Sequence, residues 1–133
     1  MSDFKIISGV NDARNLIYAT WLRSYEANSL QTKNIKRDAF FAGHHRVLDA
    51  IFARDPQVML AVLPDDESVV LGWAVTEPGI VHYVYVKPSF RRYGIARALL
   101  NHVQRPFDYT HHTFILRQIP QHVQDCDFNP YRA

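Results

Sequence analysis

The segment from Val86 to Ala96 constrains this chain more than any other part of it. It reads V-K-P-S-F-R-R-Y-G-I-A. The β-branched and aromatic residues of 80–86 predict a strand before it, and a helix is predicted from about residue 95 to residue 104. The first N–H groups of a helix have no partner within the helix, and the helix dipole adds positive charge there. Gly94 has no Cβ, so an anion can approach the backbone closely. The segment therefore predicts a strand, a turn and a helix that together bind a phosphate group.

Five residues of this segment fit the pattern V-x-P-x-x-[RQ]-x-x-G-x-[GA], namely Val86, Pro88, Arg91, Gly94 and Ala96. The pattern resembles the acetyl-CoA-binding motif of the GNAT acetyltransferase superfamily. With all five positions in register, chance agreement is expected in fewer than about one in a thousand chains of this length. The resemblance implies acetyl-CoA as the co-substrate and no metal cofactor.

The resemblance also implies which residues hold the coenzyme. The main chain at the end of the strand would bond the pantetheine arm and the thioester carbonyl, and the amides of 92–96 would cradle the pyrophosphate. Neighbouring guanidinium groups would add a positive field. The expected cofactor-binding residues are Val84, Tyr85, Val86, Arg91, Arg92, Tyr93, Gly94, Ile95, Ala96 and Arg97.

Acetyl transfer to an amine requires a group that removes a proton, and His82 is the first candidate. Strict alternation along the strand predicts that His82 shares a face with Val84 and Val86, and some GNAT members that acetylate small amines are similar in carrying a histidine here. Glu77 is the second candidate, because a carboxylate there could orient a water or bind the amine's charge. Tyr131 is the candidate for the acid that protonates the departing thiolate, with Tyr109 as a weaker alternative. The plainer interpretations are a hydrogen-bonded strand histidine, a charge at a strand end and a tyrosine on the surface.

Hydrophobic periodicity predicts a mixed α/β domain of the α+β type. We expect a central, mostly antiparallel mixed sheet with helices on both faces, in a single domain spanning residues 1–133. The resemblance covers residues 4 to about 116 and implies a reduced C-terminal arm. The predicted strands are 4–8, 58–63, 69–76, 80–86 and 113–116, and the predicted helices are 12–28, 36–54 and 95–104.

Composition excludes several classes of function. The formal net charge of +2 lacks the clustered Lys and Arg that nucleic-acid binding needs. No apolar run approaches the roughly 20 residues of a membrane span. The single cysteine, Cys126, cannot form an internal disulfide, and no N-terminal signal pattern is present, which indicates a reduced, cytoplasmic protein.

Seven histidines raise the question of a metal site. In each of the pairs His44-His45 and His111-His112 the two histidines are adjacent, and adjacent residues do not share a helix face. No second pair of ligands follows at a spacing known for zinc sites. Solvent-facing or helix-capping roles are therefore expected for these pairs, and no metal ligands are predicted.

The resemblance implies an N-acetyltransferase that acts on a primary amine of a small molecule or a protein. The alternative from another class is a catalytically silent module that binds acetyl-CoA or a protein partner on the same fold. A homodimer formed through the open C-terminal edge is a third expectation, because an uncovered strand edge invites pairing.

Overall fold

A computed structural model describes residues 3–9, 13–91, 93–112 and 126–133. The helices are α1 (Arg14–Asn28), α2 (Arg37–Ala53) and α3 (Ile95–Leu99). The strands are β1 (Lys5–Ser8), β2 (Gln57–Leu63), β3 (Asp66–Glu77), β4 (Ile80–Val86), β5 (Asp108–Tyr109) and β6 (Asp127–Phe128). The elements from β1 to α3 follow the predicted order, and the strand predicted at 113–116 lies outside the described residues.

The six strands form one sheet in the order β1-β2-β3-β4-β5-β6. Strands β1 to β4 pair antiparallel, whereas β5 runs parallel to β4 and β6 runs parallel to β5. This confirms the predicted mixed, mostly antiparallel sheet. Strands β5 and β6 have two residues each, which is too short to give an alternating pattern in the sequence.

Helices cover both faces of the sheet. On one face α1 and α2 pack against alternate residues of β2, β3 and β4, including Trp73, Val75 and Tyr83. On the other face α3 packs against Ala74 and Val86 and their neighbours. None of the described helices combines the length and the apolar composition needed to cross a bilayer.

Helix α3 is shorter than the sequence predicts. It ends at Leu99, and the residues that follow form tight turns in which the N–H groups of Asn101 and Val103 bond to carbonyls three residues earlier. Leu100 and Val103, whose apolar spacing suggested a helix to residue 104, still pack against the sheet. Apolar spacing therefore located the buried side chains correctly but overestimated the length of the helix.

A β-bulge in β4 changes which side chains share a face. Val75 pairs with Tyr83 but the next residue, Thr76, pairs with Val81, so His82 is the extra residue. As a result Val81, and not His82, packs in the same cluster as Val84. The expectation that His82 shares a face with Val84 and Val86 is wrong for this reason. Tyr83 and Tyr85 pack on the opposite face, in the cluster that includes α1 and α2.

The close approach of β3 and β4 next to the predicted coenzyme segment depends on Gly72. A Cβ at Gly72 would lie 2.6 Å from the backbone oxygen of Tyr85 and 3.3 Å from Cα of Val86. Because the oxygen of Tyr85 is a backbone atom, it cannot move away from an added Cβ without displacing β4.

We expect Gly72→Ala to lower the free energy of unfolding by about 1–3 kcal/mol, the usual cost of overpacking. Urea denaturation measures this change. The control is Gly43→Ala in α2, where an added Cβ meets no atom within 4 Å and Ala is favoured over Gly in a helix by roughly 0.5–1 kcal/mol. Equal stability of the two variants would contradict the close approach.

Candidate active site

In the part of the chain that the structure describes, β5 pairs with only the start of the outer edge of β4. The two strands pair at Ile80 with Asp108 and at Val81 with Tyr109. The last backbone hydrogen bond described between them runs from N–H of Thr110 to the oxygen of Val81, at 3.1 Å. Among the described residues no strand pairs with this edge beyond that bond. The edge of β4 from His82 to Val86, with which no described strand pairs, is here called the opening.

The main chain of Val84 and Val86 faces this opening. N–H of Lys87 bonds to the oxygen of Leu71 on β3, and backbone groups alternate between the two edges of a strand. The N–H and C=O groups of Val84 and Val86 therefore point toward the opening. Nε of Arg91 donates to the oxygen of Val86 over 2.9 Å, which ties the turn after β4 to the end of the strand.

The turn at the start of α3 is open on its outer side. Gly94 has φ 80°, a left-handed conformation that favours glycine, and a Cβ there would meet no atom within 4 Å. Among the described residues, no backbone hydrogen bond from N–H of Tyr93, Gly94, Ile95 or Ala96 is found. The side chain of Ile95 is buried on the sheet, whereas Tyr93 is 54% exposed and Arg97 is also exposed. Arg92, which the sequence also assigns to the coenzyme, lies outside the described residues.

The two residues that sequence reasoning selected for proton transfer, His82 and Glu77, contact each other. Nε2 of His82 lies 2.6 Å from Oε2 of Glu77. Arg54 binds the same carboxylate, with its Nη2 2.9 Å from Oε2 and its Nε 3.2 Å from Oε1. The side chain of Glu77 is 16% exposed and that of His82 is fully buried.

Both ring nitrogens of His82 are engaged, which sequence reasoning did not foresee. Nδ1 of His82 lies 2.9 Å from Oγ1 of Thr110. The same hydroxyl lies 2.8 Å from Nδ1 of His111, and Nε2 of His111 lies 2.7 Å from Nε2 of His44. These side chains form a continuous hydrogen-bonded chain, here called the relay, which consists of Glu77, His82, Thr110, His111 and His44.

Aromatic rings of α1, α2 and β4 enclose the inner end of the relay. The ring of His111 lies 4.8 Å from that of Tyr25 and 5.1 Å from that of Trp21, both edge-on. The ring of His44 stacks on Phe40 at 5.3 Å. His111 is only 2% exposed, whereas His44 is half-buried. Trp21, Tyr25 and Phe40 are buried members of the hydrophobic core on this face of the sheet.

Burial and neighbouring charges set the protonation states of the relay. Desolvation lowers the pKa of His44 to about 4. Desolvation also lowers the pKa of His82 below its usual value, and that of His111 well below it. The hydrogen bond from Arg54 holds the pKa of Glu77 below its usual range. At neutral pH the three imidazoles are therefore neutral and Glu77 is a carboxylate.

Sequence reasoning missed three members of the relay. His111 and His44 were expected to face solvent or to cap helices, and that expectation is wrong, because they bond to each other across 67 residues of sequence. Thr110 had no signal at all. No spacing rule connects α2 to the end of β5, so only the tertiary fold brings these residues together.

The tyrosines proposed as general acids are not members of the relay. Tyr131 is 95% exposed in a short turn at residues 130–132. Tyr109 lies on β5, where its ring packs against His112 and Phe128. Cys126 is half-buried, and its Sγ accepts a hydrogen bond from N–H of Phe107. Among the residues described, no group of three or more His, Cys, Asp or Glu side chains is arranged to hold a metal ion.

Comparisons with known proteins identify the family. The model of the acetyltransferase (GNAT) family matches residues 17–108. No relative among curated protein sequences matches at a significant level.

Solved structures share the fold. A candidate acetyl transfer protein from Pyrococcus furiosus is 16% identical, with a TM-score of 0.60 over 74% of this chain and 70% of its own. A GCN5-related N-acetyltransferase from Rhodopseudomonas palustris is 17% identical, with a TM-score of 0.55 over 76% of this chain. A candidate acetyltransferase from Clostridium difficile 630 is 15% identical, with a TM-score of 0.53 over 96% of this chain. The matched part spans 63% of the length of the R. palustris protein.

The family match extends from α1 to β5 and so includes the open edge of β4 and the turn at Gly94. The sequence pattern, the sheet topology and the match agree, and the chain belongs to the GNAT acetyltransferase family.

Proposed function

We propose that this protein transfers the acetyl group of acetyl-CoA to a primary amine of a small molecule or a protein. The observation that carries the proposal is the edge of β4 with which no described strand pairs, leading to a helix start with an unobstructed glycine. In a GNAT chain, the pantetheine arm would lie along the main chain of Val84 and Val86. The pyrophosphate would lie at the amides around Gly94, with Arg97 as a nearby positive charge.

The chemistry needs little beyond positioning and proton transfer. The amine attacks the thioester carbon, the C–N bond forms, and the C–S bond breaks with its electron pair moving to sulfur. The proposed roles of Glu77 and His82 are to take part in moving the amine's proton, since they form a carboxylate–imidazole pair at the bulge in β4. We assign the acid role to neither Tyr131, whose side chain is exposed, nor Tyr109, whose ring packs against His112 and Phe128.

Thiol release tests the proposed function. The full chain is incubated with acetyl-CoA and a panel of primary amines: a polyamine, an amino sugar, a lysine-containing peptide and a peptide with a free N-terminus. Release of coenzyme A with a matching gain of one acetyl group on an amine supports acetyl transfer. Coenzyme binding without release on any amine would favour the silent binding module, and no binding would exclude both.

We expect Gly94→Ala to weaken acetyl-CoA binding by at least about tenfold, because the new methyl group would occupy the open space at the proposed phosphate site. Gly79→Ala is the matched control. Gly79 also has a positive φ, 73°, and open surroundings, but it lies in the β3–β4 turn. Both variants should lose about 1 kcal/mol of stability from the left-handed backbone. Calorimetric titration with acetyl-CoA separates them, and equal affinities would contradict the assigned phosphate site.

We expect His82→Gln to lower kcat by about 10²-fold and to leave the Kd for acetyl-CoA unchanged. The glutamine amide can still bond Glu77 but cannot exchange a proton as imidazole does. His102→Gln serves as the control, since His102 bonds Thr76 on the α3 side of the sheet. Wild-type kcat in His82→Gln would exclude a role for His82 in proton transfer.

A further inference from the structure

The relay connects a surface carboxylate to a half-buried ring through polar atoms that are otherwise sealed from solvent. Its four hydrogen bonds measure 2.6, 2.9, 2.8 and 2.7 Å from Glu77 to His44. His82, Thr110 and His111 are each at most 2% exposed. The buried ring nitrogens along this path are therefore hydrogen-bonded within the relay, while Oγ1 of Thr110 also lies 3.5 Å from the backbone oxygen of His82.

Donor and acceptor accounting gives the relay one direction. The carboxylate of Glu77 can only accept, so Nε2 of His82 carries a proton and Nδ1 of His82 has a lone pair. That lone pair requires the hydroxyl of Thr110 to donate to it.

The same accounting continues to the other end of the relay. With its proton given to His82, Oγ1 of Thr110 accepts from Nδ1–H of His111. Nε2 of His111 then has a lone pair and accepts from Nε2–H of His44. Nδ1 of His44 is left with a lone pair, and among the described residues no hydrogen bond to this atom is found.

The inner end of the relay is connected to the point where the described pairing of β5 with β4 ends. Thr110 makes the last described backbone bond to β4, and His111 is the next residue. The half-buried ring of His44 reaches His111 from α2. The relay therefore joins α2 to β4 through the two residues that directly follow β5.

We propose that the relay stores the amine's proton during acetyl transfer, with Nδ1 of His44 as the atom that receives it and Glu77 as the group that holds it. This inference rests on the proposed acetyl transfer and deepens it. It assigns a catalytic role to His44 and positioning roles to Thr110 and His111.

The proton moves by five coupled transfers. The amine's N–H bond breaks and its proton joins Nδ1 of His44, whose Nε2 proton passes to Nε2 of His111. The Nδ1 proton of His111 passes to Oγ1 of Thr110, and the hydroxyl proton passes to Nδ1 of His82. The Nε2 proton of His82 joins Oε2 of Glu77. No imidazole keeps a positive charge, which suits rings whose burial disfavours one.

Return of the proton completes the reaction and restores the relay. As the C–S bond breaks, the thiolate, with a pKa near that of a free thiol at about 8.5, takes a proton from Nδ1 of His44. The five transfers then run in reverse and Glu77 is a carboxylate again. A carboxyl group is far more acidic than a thiol, so the return is downhill. The relay thereby supplies both the base and the acid, and no separate tyrosine is required.

The first test reads the tautomers directly and does not depend on activity. In the ¹⁵N-labelled full chain at neutral pH, we expect Nε2–H tautomers for His44 and His82 and the Nδ1–H tautomer for His111. Thr110→Val should leave His82 unchanged, because Glu77 still holds it, while His111 and His44 lose their single tautomer. Thr110→Ser keeps the hydroxyl and should keep the wild-type pattern. Opposite tautomers or averaged signals in the wild type would overturn the directed relay.

The second test is kinetic and uses the best amine of the panel. We expect Thr110→Val and His44→Ala to lower kcat by about 10²-fold with the KM for acetyl-CoA unchanged. Thr110→Ser should restore kcat. The matched control is His45→Ala, the adjacent residue on α2, which is bonded to Asp49 and lies outside the relay.

The outcomes separate this inference from the function on which it rests. An active wild type with wild-type kcat in Thr110→Val or His44→Ala overturns the relay and leaves acetyl transfer standing. A wild type that releases no thiol with any amine overturns both, whatever the tautomers. Loss of kcat in both variants, with rescue by Thr110→Ser and no effect of His45→Ala, supports the relay.

Discussion

The extra residue in β4 at His82 is the constraint on which the rest of the site depends. An inserted residue in one strand bends that strand and breaks the alternation of its side chains. Here the bulge turns His82 toward Glu77. Val81 instead packs in the same cluster as Val84, on the face of the sheet that α3 covers. Pairing between β4 and β5 ends at the same level. One local irregularity therefore positions the buried histidine beside the opening of the sheet.

The histidines next to this bulge show how a protein keeps polar groups inside an apolar core. Burial strongly disfavours a charged imidazole, and the pKa of His44 falls to about 4 for that reason. The cost of burying neutral rings is offset only if each nitrogen has a partner. The relay satisfies the nitrogens in sequence and ends at Glu77, where Arg54 and partial solvent exposure stabilise the negative charge. Charge is thus confined to the end of the relay that solvent reaches.

The two sides of the sheet carry separate tasks in the proposed reaction. The coenzyme would be bound by backbone groups at the end of β4 and the start of α3. Because such binding does not depend on the side chains, many different side chains can occupy these positions as long as Gly94 is kept. The proton would be handled by side chains of β3, β4, β5 and α2 on the other side. This division is consistent with a GNAT chain whose solved relatives share its fold at 15–17% sequence identity. In the proposed reaction the relay would also supply the acid, whereas Tyr131 lies in solvent.

The sequence by itself determined the elements from β1 to α3, the antiparallel hairpins, the two helical faces and the family. These features follow from local rules, because apolar period, turn residues and the Arg91, Gly94 and Ala96 spacing act over a few residues. It also singled out His82 and Glu77 as residue types suited to proton transfer. Only the tertiary structure decided which face His82 occupies, since a bulge depends on how two strands register. Only the tertiary structure brought His44 to His111, because no local rule links residues 67 apart that meet through the packing of α2 on the sheet.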